Sequence, residues 1–264
     1  MEYGFINELK IFIEKDKFCD QILKFEIKQH SNREDGKKYS LNEHIEAIVW
    51  ALLSNQQKWR VVLPKLEKIK SGFHNYDADI VKNTKPEDLI KIIIEVKAGN
   101  KNIKKQMEGL SNIISVLEDI SKQHGSIDSY YDDLIKKTGN PESLLKELSK
   151  SNSKYKLKNM GITLVCAYLK NIGIDIGKPD THIKRILGKN ILGCSKNDEA
   201  TEEEALSYIK CIAEKNGTTK KEVDSLLWLY CADGFGEICT KNDPKCDKCV
   251  IKEYCHKGKS NLAQ

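Results

Sequence analysis

Four cysteines stand at C-x6-C-x2-C-x5-C near the end of the chain: Cys239, Cys246, Cys249 and Cys255. A segment this short cannot build its own core. A compact loop of that length can point four sulfurs at one centre. Four thiolates suit either tetrahedral Zn2+ or an iron–sulfur cluster. Most structural zinc sites split their ligands into two C-x2-4-C knuckles set apart in sequence. Here one knuckle, Cys246 and Cys249, is flanked by two single cysteines. From spacing alone a cluster, a zinc knuckle and four unligated thiols all stay open. The other five cysteines, Cys19, Cys166, Cys194, Cys211 and Cys231, fall mostly within apolar patterns and read as small core residues of a reducing compartment.

Nearly every other segment carries a helical period. Ser40-Leu-Asn-Glu43 is a capping box, followed by an apolar stripe at Ile45, Ile48, Val49, Leu52 and Leu53. Thr84-Lys-Pro-Glu87, Thr201-Glu-Glu-Glu204 and Thr219-Lys-Lys-Glu222 read as further boxes, and Asn140-Pro141 as another helix start. Met107, Leu110, Ile113, Ile114, Leu117 and Ile120 mark a long helix. Residues 31–39 read as a polar linker. No clear strand alternation or internal repeat appears, so the expected class is all-α with about ten helices. At 264 residues and 39 % hydrophobic composition, two lobes are as compatible with the chain as one domain. The net charge of +5 is almost all lysine, since Arg33, Arg60 and Arg185 are the only arginines, and it fits a polyanionic partner weakly. No apolar run is long enough to span a bilayer and the start is not signal-like, so an intracellular protein without a membrane partner is expected.

Residues 157–188 carry the chemistry. Asn159-Met-Gly161 reads as a tight turn between apolar helices, because Asn and Gly tolerate positive φ. A helix starting there, at Ile162, would offer backbone amides to a phosphate; the alternative is an ordinary helix–helix turn. Lys178-Pro-Asp180-Thr-His182-Ile-Lys184-Arg185 follows. Asp180 reads either as a helix N-cap or as a reactive carboxylate. Lys184 and Arg185 would face phosphate or pair locally.

Taken in order, the turn, the Pro–Asp segment and the cysteine spacing resemble the endonuclease III superfamily of DNA glycosylases, over roughly residues 40–257. Leu52-Leu-Ser-Asn-Gln56 also resembles that family's Leu-Leu-Ser-x-Gln stretch, whose glutamine reaches into the DNA helix. The resemblance implies an all-α, two-lobed helix-hairpin-helix glycosylase fold. A six-helix barrel lobe would span residues 40–173. A second lobe would join 1–39 to 174–264 and hold a [4Fe-4S] cluster on Cys239, Cys246, Cys249 and Cys255 in the loop 239–255. Double-stranded DNA carrying a damaged or mispaired base would lie across the cleft, with the target base flipped out. Gln56, Asn159, Gly161, Ile162, Lys184, Arg185, Lys241 and Lys245 would meet the DNA, and Asp180 would be catalytic. A monomer working on the nucleoid is expected.

The chain departs from the family's pattern in three places. Bifunctional members carry a Schiff-base lysine two residues after the hairpin's second glycine, and Thr163 stands there instead. A hydrolytic, monofunctional glycosylase is expected, with a relocated Lys156, Lys158 or Lys170 as the alternative. A DNA-binding damage sensor without chemistry is a third possibility. Lys158-Asn159 replaces the usual proline and first glycine of the hairpin. Ala51 stands where adenine-specific relatives place a glutamate, so adenine excision from a mispair is not expected, and which base is excised stays open.

Overall fold

The computed structural model describes residues 4–258, and among them every regular element is helical. Fourteen α-helices appear among these residues, more than the ten expected, because several apolar stretches break into short helices. In chain order they are α1 (Phe5–Glu14), α2 (Lys17–Glu34), α3 (Leu41–Leu53), α4 (Trp59–Val62), α5 (Leu66–Gly72), α6 (Ala78–Asn83) and α7 (Pro86–Glu95). There follow α8 (Ile103–His124), α9 (Ile127–Thr138), α10 (Pro141–Ser149), α11 (Ile162–Asn171), α12 (Thr181–Ile186), α13 (Glu202–Asn216) and α14 (Lys220–Cys231). No helix of the described residues is long and apolar enough to cross a membrane.

The chain forms two compact units. The first combines the residues up to Asn32 with those from Asp175 onward, and the second is Arg33–Ile174. In the first unit α14 packs on α1, α12 and α13. Phe5, Leu9 and Ile13 of α1 and Leu226, Leu227 and Leu229 of α14 are almost fully buried in one core. Each such side chain contributes about 1.5–3 kcal/mol through burial. α1 and α2 separate where the Asp16 carboxylate accepts the amides of Phe18 and Cys19.

In the second unit the helix contacts run round a circuit: α3 meets α8, α8 meets α9, α9 meets α10, α10 meets α11, and α11 returns to α3. The Ser40 box forms with both reciprocal bonds, as does the Thr201 box of the first unit. The Thr84 box does not form. Thr84 closes α6 by donating to the carbonyl of Ile80, and α7 begins one residue later with Pro86 in its first turn. Residues 31–34, read as linker, continue α2. The cause is Arg33, whose guanidinium bonds Asp128 at 2.8 Å, Asp132 at 2.6 Å and the Ile172 carbonyl at 3.2 Å. Asp128 is buried and also accepts the Tyr39 amide. His44, fully buried, meets the Tyr168 hydroxyl through Nδ1 at 2.7 Å, and Tyr168 meets Tyr131 at 3.1 Å. Burial pushes the His44 pKa down to about 4.

Candidate functional site

Within the second unit, the chain leaves α10 and reverses before α11. The Leu157 amide donates to Leu148 O, and the Met160 amide to Leu157 O, closing the turn. Asn159 takes φ +61° there, the left-handed conformation that the usual glycine would supply. Its Nδ2 donates to Lys105 O on α8 at 2.6 Å. Gly109, one turn further along α8, leaves room for it: a Cβ at Gly109 would stand 2.8 Å from Asn159 Nδ2. Gly161, exposed and extended, is the N-cap of α11 and brings no side chain to the first-turn amides. Ile162 and Thr163 are half-buried at the helix start. Lys158 is exposed, while Lys156 turns its ammonium onto the carbonyls of Leu157 and Met160.

Gln56 is exposed at the end of α3 with φ +53°, a conformation that costs a residue with a Cβ about 1 kcal/mol. The loop around it is tied down elsewhere. Asn100 Nδ2 donates to Leu52 O at 3.0 Å, and Gln57 Nε2 donates to Gly99 O. Ala51, at the position of interest for a glutamate acid, is buried.

Within the first unit, Asp180 is half-buried and caps α12. Its Oδ1 accepts the amides of His182 at 2.9 Å and Ile183 at 3.1 Å. The capping and reactive readings are therefore compatible, since the cap fixes the carboxylate. The segment ahead of it is pinned from α14 and its start: Asp224 Oδ1 accepts the Lys178 amide at 2.8 Å, and Asp175 Oδ1 accepts the Lys221 amide at 2.9 Å. Asp224 is 1 % exposed, a buried carboxylate that sequence reading passed over although it interrupts the apolar face of α14. Burial lowers the His182 pKa, opposed by the Asp180 charge. Lys184 is half-buried. Arg185 is committed locally, donating to Cys239 Sγ at 3.5 Å, Thr240 O at 3.4 Å and Cys239 O.

The cysteine loop begins where Ile238 and Gly236 donate to Tyr230 O and Leu229 O at the end of α14. It ends where His256 and Lys257 donate to Ile191 O and Asn190 O. Three of its sulfurs accept hydrogen bonds: Cys239 from Arg185, Cys249 from the Tyr230 hydroxyl at 3.2 Å, and Cys255 from the Gly258 amide at 3.3 Å. A hydrogen bond from the buried Cys231 thiol, with help from Arg185, pulls the Cys239 pKa down to about 6. Cys231 is thus a fifth sulfur of the region, which spacing could not reveal. Burial raises the Cys255 pKa. None of these cysteines is in a disulfide, and among the described residues no group of three or more His, Cys, Asp or Glu is gathered closely enough to hold a metal ion. Lys241 is exposed, and Lys245 pairs with Glu237 at 3.4 Å.

No family model matches the chain, and no curated protein sequence does. Solved structures do. One is the Methanocaldococcus jannaschii 8-oxoguanine glycosylase/lyase in complex with a 15mer DNA containing 8-oxoguanine, 16 % identical, with a TM-score of 0.55 over 86 % of this chain and 95 % of that one. Another is a trapped endonuclease III–DNA covalent intermediate, an estranged-adenine complex, 15 % identical, with a TM-score of 0.57 over 92 % of this chain and 98 % of that one. The chain has the endonuclease III-like helix-hairpin-helix glycosylase fold.

Proposed function

We propose that this protein is a DNA glycosylase of base-excision repair, acting on double-stranded DNA that carries a damaged or mispaired base. The observation that carries this reading is the immobilised carboxylate of Asp180 in a fold shared with two DNA-acting enzymes. Cleaving an N-glycosidic bond builds positive charge on the sugar, and a fixed carboxylate stabilises that charge. Two amides hold Asp180 in place, so it need not reorganise as the charge appears. In the reaction the bond from C1′ to the base breaks and water adds to C1′. Asp180 orients that water and takes its proton, and the departing base is protonated in turn. The base reaches the site by flipping out of the duplex.

Thr163 supports hydrolysis without strand cleavage, because a hydroxyl cannot form a Schiff base. The two neighbouring structures, a lyase and a covalent intermediate by name, favour a second reading in which another lysine attacks. Of the three candidates, Lys170 is buried and the Lys156 ammonium is occupied by two carbonyls, which leaves Lys158.

The donor chemistry around the loop fits an iron–sulfur group. N–H and O–H donors aim at sulfurs rather than away from them, as electron-rich sulfur requires. Cys239, Cys246, Cys249 and Cys255 would hold a [4Fe-4S] cluster whose task is to fasten the loop. Gln56, the Asn159–Ile162 backbone, Lys184, Lys241 and Lys245 are the residues assigned to DNA, while Arg185 serves the cysteine loop. Gln56 supports this best: strain stored at an exposed polar tip is characteristic of contact sites. The working state is a monomer of two helical lobes, inside the cell and on the nucleoid.

The test is single-turnover excision on duplexes holding uracil, mispaired thymine, oxidised pyrimidines, 8-oxoguanine, hypoxanthine and alkylated purines. Each reaction is split between hot alkali, neutral quench and borohydride. Product seen only after alkali, with no trapped complex, is the expected result. Nicking at neutral quench with a trapped complex selects the lysine reading. Asp180→Asn should lower excision by about 10^3-fold or more while DNA affinity stays within a few-fold. A mutant that excises like the parent sinks the mechanism.

A further inference from the structure

The turn between α10 and α11 closes on a side chain of its own. Lys156 is half-buried, and its Nζ donates to Leu157 O at 2.7 Å and also to Met160 O. Leu157 and Met160 are themselves buried, so these carbonyls have little access to water. In a trans peptide the C=O and the following N–H point in opposite directions. A Leu157 carbonyl turned onto Lys156 therefore turns the Lys158 amide the other way. The Met160 carbonyl does the same for the Gly161 amide. Partial burial of the side chain lowers the Lys156 pKa by desolvation.

We propose that Lys156 is the built-in cation of the hairpin. Its ammonium gathers the Leu157 and Met160 carbonyls on one side and so presents the Lys158 and Gly161 amides to a DNA phosphate on the other. The charge also stands behind that phosphate, where solvent screens it less than it screens an exposed lysine. Lys156 is in this sense a positioning residue and not a nucleophile. The inference rests on the proposed DNA-binding function and adds that one lysine shapes its phosphate site.

Binding of a lesion-free duplex is followed by fluorescence anisotropy for the parent, Lys156→Ala and Lys158→Ala. Lys156→Ala should weaken binding about tenfold, and Lys158→Ala, the loss of an exposed charge next door, by less than about threefold. Propylammonium ions should restore part of the affinity of Lys156→Ala. Tetramethylammonium, which has no N–H to donate, should not do so at equal ionic strength. Equal losses in the two variants, or equal effects of the two ions, would overturn the proposal. A separate reading needs no variant: the ammonium protons of Lys156 should give a resolved NMR signal at neutral pH because they are held in hydrogen bonds. Their absence would overturn the clamp even if Lys156→Ala proved too unstable to assay. A parent that binds no duplex would refute the DNA function, and the NMR signal would still decide the clamp.

Discussion

The hairpin and the cysteine loop are both short turns without a core, yet they are held by different means. In the hairpin the polypeptide does everything. A turn bond closes it, Asn159 ties it to α8, and Lys156 fills its inside. In the loop from Cys239 to Cys255, backbone bonds secure the two ends, and between them sulfurs serve as hydrogen-bond acceptors. A turn of the first kind can form as its unit folds. On the proposed cluster, the free energy of binding that ligand would become folding free energy for a turn of the second kind.

This contrast is broken most easily at a sulfur. Cys249→Ser should lower the melting temperature by more than about 10 °C and remove broad absorbance near ~400 nm, because it would remove a ligand of the proposed cluster and the acceptor of the Tyr230 hydroxyl. A soluble, colourless variant melting with the parent would mean that the loop, like the hairpin, holds itself. On the hairpin side effects should be smaller and attributable bond by bond. Asn159→Val should cost about 2–3 kcal/mol, combining a left-handed φ on a branched residue with a lost hydrogen bond. Asn159→Gly, which keeps the conformation, should cost about 1 kcal/mol. Chemical denaturation of the two variants separates the terms, and equal losses would show that the turn is not strained.

Gly109→Ala should destabilise by about 1–2 kcal/mol in the parent, because the new methyl meets Asn159 Nδ2. The cost should largely vanish in the Asn159→Gly background, and a double-mutant cycle with no coupling would contradict the close approach. The smallest effect belongs to the surface of the loop. Lys241→Ala should weaken DNA binding two- to threefold on all sequences and reduce the salt slope by about 1. A loss confined to lesion-bearing duplexes would give Lys241 a recognition role instead.

Much of this was legible in residues 157–255 because the signals there are local. Asn159 can be read as a turn residue and Asp180 as a helix cap from their neighbours alone. The Thr84 box failed because Pro86 moved the helix start by one residue and Thr84 closed the preceding helix instead. The end of α2 was misplaced because Arg33 is held by Asp128 and Asp132, about a hundred positions away. Lys156, Asp224 and Cys231 carry no local mark of their roles. Their partners are a carbonyl pair, a backbone amide and another thiol, none of which a spacing rule identifies.

The Arg33 bond to the Ile172 carbonyl joins the first residues of the second unit to its last. Its chain therefore begins and ends at one point, as an inserted domain does. During synthesis this insert is complete once residue 174 has emerged, and it can fold while the ribosome is still at work. The helix α1, made before the insert, has no such option. Phe5, Leu9 and Ile13 must wait for α14 before they find their core. This early segment is thus buried late, and it stays open to chaperones and proteases until α14 has been made.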